Sequence, residues 1–130
     1  MKTVAEVELE DDLDHPIPKV FSCDIFTVKK DGGADLRIII ADPLIDNEKS
    51  RGRLLAKIEN YLKFINGFEY LEKCGPPNAG NTNIIISMNA DSDVNIIKFA
   101  NNCRSWVENN NASLFIDYLL GAQSEVDGNA

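Results

Sequence analysis

Apolar residues recur at helical spacing between Asn47 and Gly67, where Leu54, Leu55, Ile58, Tyr61, Leu62 and Ile65 share one face. The pattern predicts an amphipathic helix, the longest periodic segment and the one the other elements must pack against. Arg53, Lys57, Glu59, Asn60 and Lys63 fall between the apolar positions and are expected on the solvent side. Asp46 or Asn47 can cap the start, and Gly67 can end the helix in the left-handed conformation.

On either side the period falls to two. Val20 to Val28 reads as a strand with Phe21, Cys23, Ile25 and Thr27 on one face, and Asp31-Gly32-Gly33 as the turn of a hairpin. The return strand runs from Leu36 to Ala41. Ile84 to Met88 forms a third strand, and both are apolar on two faces, as central strands are. Phe68 to Leu71 reads as an irregular turn packed on the long helix. Cys74 to Asn81 reads as a loop from its glycines and prolines. A second helix opens at Asp91 or Asp93, carries Val94, Ile97, Ala100, Cys103 and Val107, and stops at Asn109-Asn110-Asn111. Leu114 to Leu120 alternates as a fourth strand.

The order is ββαβαβ. It predicts an α+β two-layer sandwich, with a mixed four-stranded sheet and two helices on one face. The first two strands should pair antiparallel and the last two parallel. Two apolar faces on the inner strands require cover on the side away from the helices. That cover is expected from a partner subunit, which makes a homodimer, or from the N-terminal arm.

Charge changes this picture only at the ends. The 130 residues carry a net −8, but residues 1–15 account for −5 through Glu6, Glu8, Glu10, Asp11, Asp12 and Asp14 against Lys2. The tail after Leu120 adds −2, so residues 16–120 are nearly neutral. Residues 1–15 therefore read as an acidic arm or a charged edge strand, 16–120 as one globular domain and 121–130 as a mobile polar tail. A near-neutral body argues against nucleic acid as a partner. No apolar run has the length of a membrane span, and no signal-peptide core precedes the domain, so a cytoplasmic location is expected. Cys23, Cys74 and Cys103 are odd in number and widely spaced, which suits reduced thiols better than disulfides or a zinc site.

Little in the chain carries chemistry. Asp91-Ser92-Asp93-Val94-Asn95 opens like a calcium loop, but Ile96 and Asn102 stand where glycine and glutamate are needed, so it reads as a helix cap. His15, the sole histidine, sits in an extended segment and is a poor base there. Cys74, in its Gly-Pro loop, reads as the most exposed thiol, without a base to activate it. Phe64, Phe68, Tyr70 and Trp106 suit core or interface. No cofactor or metal is expected. Lys49, Arg53 and Lys57 form a basic stripe with Arg51 beside it, opposing the helix dipole. They are the candidate contacts for an anion or an acidic partner, the chain's own N-terminal arm included.

The run Leu54-Leu55-x-Lys57-Ile58-x-x-Tyr61-Leu62-x-Phe64-Ile65-x-Gly67 resembles the helix signature of a small bacterial domain family of unknown function. The similarity in element order extends from about residue 25 to residue 120. The resemblance implies a hairpin before the helix and a loop, strand, helix and strand after it, with no catalytic residues. That family has a histidine in an acidic lead-in to the helix; here Asp42-Pro43-Leu44-Ile45-Asp46 has none. The functional expectation is a non-enzymatic protein-interaction module, immunity-type or regulatory. The alternative is a small-molecule or catalytic pocket between the long helix and the Cys74–Asn81 loop.

Overall fold

A computed structural model of the chain describes residues 9–119. The elements are β1 (Ile25–Val28), β2 (Ala34–Ile40), α1 (Glu48–Ile65), α2 (Phe68–Cys74), β3 (Thr82–Asn89), α3 (Val94–Asn101), α4 (Arg104–Glu108) and β4 (Ser113–Leu119). They build an α+β fold around a mixed four-stranded sheet in the order β1-β2-β3-β4. The β1–β2 hairpin is antiparallel, and β2–β3 and β3–β4 are parallel, each parallel pair joined through helices. Arm positions 1–8, including Val4 and Val7, and the tail from Leu120 onward lie outside the described residues.

One side of the sheet makes the core. Leu36, Ile38, Ile40, Ile84, Ile86, Met88 and Leu114 are buried with Leu54, Ile58, Tyr61, Leu62, Ile65, Ile96, Ala100 and Val107 from the helices. Phe26, Phe64 and Tyr70 stack edge-on or tilted at one end of it. The Tyr70 hydroxyl bonds Thr82 Oγ1 at 2.6 Å, which removes the cost of burying either group.

Several local expectations are corrected. The first strand begins at Ile25, because the carbonyls of residues 17–20 and the N–H of Asp24 are taken by side chains of α1. The turn at Phe68 is a true helix to Cys74, and the second long helix is broken at Asn102–Cys103 into α3 and α4. Asn47 caps α1, its side chain accepting from the Ser50 N–H at 2.8 Å. Gly67 is not left-handed, with φ −95°; it begins α2, where a Cβ would press on the carbonyls of Lys63 and Phe64. Asn111 does take the left-handed turn, at φ 75°. Arg53 and Lys57 are buried, and Leu55 is partly exposed, so the inner surface of α1 is wider and more polar than its apolar stripe.

Gly33 fixes the hairpin against the loop before β3. Its φ is +81°, its N–H donates to the Cys74 carbonyl, and an added Cβ would lie 2.0 Å from the Asn81 carbonyl oxygen. Gly33→Ala is expected to lower stability by about 2 kcal/mol or more, because backbone must move as well as twist. Gly52→Ala, with open space around it on α1, should instead raise stability by roughly 0.5–1 kcal/mol. Urea unfolding of both variants provides the measurement.

Candidate functional site

Arg53 and Lys57 of the basic stripe on α1 face inward onto their own chain. Arg53, Lys57 and Asn60 lie one turn apart and take four successive carbonyls of a strap at residues 17–20. Arg53 Nε donates to Ile17 at 2.8 Å and Nη2 to Pro18 at 3.0 Å; Lys57 Nζ donates to Lys19 at 2.7 Å and Asn60 Nδ2 to Val20 at 3.1 Å. Arg53 Nη1 also reaches the Glu10 carbonyl. Ile17 and Val20 plug into the core between these bonds. Lys57 pairs with Asp24 at 2.7 Å, so its buried charge has a counter-ion.

The remaining two cations are engaged nearer the surface. Lys49 pairs with Asp12 at 2.6 Å. Arg51 grips Asp46 through Nε and Nη2 and stacks over the Phe99 ring at 4.7 Å. The sequence-predicted set Lys49, Arg51, Arg53 and Lys57 is thus brought together along one helix, with every member bonded within the chain.

Asp24 ends the strap and joins it to the sheet. Its carboxylate takes Lys57 on one oxygen and the Ile39 N–H on the other, at 2.9 Å. Its own N–H donates to the Tyr61 hydroxyl, which donates in turn to the Arg37 carbonyl at 2.6 Å. Burial pushes the Tyr61 phenol far above its ordinary range, so it acts as a neutral relay between strap and β2.

His15 is part of this strap. Its Nδ1 accepts the Ile17 N–H at 2.9 Å, which leaves the proton on Nε2, 3.2 Å from Ser50 Oγ. Burial first, then Arg53 and Lys49, hold its pKa below the usual 6.5, with Asp12 opposing. The ring is a structural clip for the turn from Asp12 to Pro18.

Cys74 is buried, correcting the exposed-loop expectation, because it closes α2 against the core; Cys23 is the exposed thiol. Burial raises all three thiol pKa values, keeping them protonated. The Asp93 carboxylate accepts from the Asn95 N–H and caps α3. Between the end of α1 and the Gly75–Asn81 loop lies a groove of about 500 Å³ lined by Ile65, Asn66, Phe68, Leu71, Pro76 and Pro77, among others. It is open and mainly apolar, and its lining contains no ionisable side chain.

The side of the sheet away from the core has no cover among the described residues. Its cross-strand rows are Thr27-Asp35-Asn83-Ser113, Ile25-Arg37-Ile85-Phe115 and Ile39-Ser87-Asp117. Ile25 and Phe115 are 45% and 49% exposed, and Ile39 and Ile85 are half-buried. At the centre Arg37 Nη1 donates to Ser87 Oγ at 2.8 Å and to Asp117 at 3.0 Å. The Ser87 hydroxyl, then Arg37, holds the Asp117 carboxyl below its ordinary value. Asp35 accepts from Asn83 at 2.8 Å and pairs with Lys29 at 3.4 Å. Sequence reasoning saw two apolar faces on the inner strands but missed this charged centre, whose members are 50 and 30 residues apart. Period-two alternation can assign each a face of its own strand; only register brings them together.

Arg53→Ala should destabilise the fold by about 2–3 kcal/mol, the scale of charged hydrogen bonds lost to buried carbonyls, and open residues 10–24 to limited proteolysis. Lys63→Ala, in an exposed pair with Glu59, should change stability by less than about 0.5 kcal/mol. For His15 the sign follows from its lowered pKa: the unfolded chain binds the proton first. Its contribution is full above about pH 6.5 and is lost as pH falls through the folded value. Urea midpoints at about pH 7.5 and 5.5 should therefore differ in the wild type. His15→Asn, which can still accept the Ile17 N–H without titrating, should flatten that difference.

The chain matches no protein-family model, no curated protein and no solved structure.

Proposed function

We propose that the protein is a non-enzymatic interaction module whose working surface is the open face of the sheet. The observation that supports this reading is the cluster of exposed Ile25 and Phe115 and half-buried Ile39 and Ile85 around the Arg37–Ser87–Asp117 network. Strands at about 4.8 Å spacing and up to seven residues at about 3.3 Å rise give a face of at most roughly 19 by 23 Å. A broad open surface of that kind suits another protein surface; small molecules are held in concave sites. The charges on the face already have partners, so a covering surface leaves none of them stranded. An immunity-type or regulatory protein is the form of module this favours, acting in the cytoplasm through protein–protein contact at this face. The groove beside Phe68 and Pro76 supports the small-molecule alternative less well, because its two asparagines bond each other and helix-end carbonyls.

Ile85→Lys places a charge in the middle of the face while leaving the core side untouched. Tagged wild-type and Ile85→Lys proteins, matched by circular dichroism, should differ in what they retain when purified under gentle cross-linking. At least one protein species, the chain itself included, is expected to be lost with the variant. Identical retained sets would remove the face as the working surface.

A further inference from the structure

We infer that the open face is occupied by a second copy of this chain, packed sheet on sheet about a two-fold axis that runs along the strands. This rests on the reading of that face as an interface and names its occupant.

The order of residues across the face supplies the reason. A two-fold axis parallel to the strands lays β1 of one copy over β4 of the other, and β2 over β3, while keeping each cross-strand row on the same row. In the row Thr27-Asp35-Asn83-Ser113, hydroxyl then meets hydroxyl, and carboxylate meets amide. In the row Ile25-Arg37-Ile85-Phe115, Ile25 meets Phe115 at both ends, and the Arg37 stem lies over Ile85. In the third row Ile39 covers Ser87. The first two rows are thus self-complementary in this arrangement. An axis across the strands would instead set the polar row against the one holding Asn89 and Leu119.

Charge points the same way. The face carries Lys29, Asp35, Arg37 and Asp117 and is neutral, whereas each copy as a whole carries −8. Two such chains approach with least repulsion through a neutral face. Every one of those four groups is paired within its own chain, so closure strands no charge. The face, at most roughly 440 Å², is smaller than the about 800 Å² per partner of a standard stable interface. The dimer is therefore of the dissociating kind, and its population depends on concentration.

Sedimentation or light scattering from about 1 to 200 µM should show the mass rising from 14.4 kDa toward twice that value. Ile85→Lys and Phe115→Lys should hold it at the monomer value. A second measurement fixes the arrangement. In a Cys23→Ser background, Thr27→Cys and Ser113→Cys together should be joined between chains by a short bis-maleimide, and neither should be joined alone. Within one chain these positions are three strands apart, beyond that reagent's reach. A mass of 14.4 kDa at all concentrations without cross-linking would overturn the inference. So would a dimer that Ile85→Lys leaves intact, since its contact would lie elsewhere. If the chain stays monomeric while Ile85→Lys still loses a different retained protein, the face remains an interface and only its occupant is wrong. If the variant loses nothing, the face itself is wrong.

Discussion

Four consecutive backbone carbonyls, from Ile17 to Val20, are held by Arg53, Lys57 and Asn60 on one flank of α1. Two cations buried at about 1% exposure would be strongly unfavourable alone. They are tolerable because carbonyl dipoles and Asp24 replace the water they leave. In return, α1 gains a second packed flank beside its apolar stripe. The strap delivers Ile17 and Val20 to the core, and Asp24 ties its end to β2 through Ile39. Helix, strap and sheet therefore hold one another in register.

The same sheet has two unlike sides. Toward the helices Leu36, Ile38 and Ile40 of β2 and Ile84, Ile86 and Met88 of β3 are fully buried. Away from the helices the residues are half-exposed aliphatics around one ion-paired centre. A pre-paired Arg37–Asp117 couple allows such a surface to rest in water and still be covered without leaving a lone charge. The small size of the face places a complex formed on it alone among the weak or transient encounters.

Much of the fold was legible in the sequence because it is written in local periodicity. Leu54, Ile58, Tyr61 and Ile65 announced α1; the isoleucine triplets announced β2 and β3; Asn111 announced the end of α4. Charge alternation misled at Arg53 and Lys57. Their long stems place a charge wherever acceptors lie, and the acceptors were carbonyls about 35 residues earlier, which have no side-chain signature. Cys74 was misplaced for a related reason: the glycine and prolines after it signal a loop, while its own position closes a helix. The charged centre of the open face depends on parallel register across β2, β3 and β4. No single segment encodes it.

Carbonyl groups are common to all residues, so the α1 flank recognises the path of the strap rather than the identity of most of its residues. Pro16 and Pro18 fit such a path, since they lack only the N–H that α1 never uses. Residues 18 and 19 are therefore free to drift in sequence while the strap keeps its shape. Ile17 and Val20, and above all the helix positions facing them, are not. Variation in this protein should be lopsided across a single contact, permissive on the strand of backbone that is gripped and strict on the side chains that grip it.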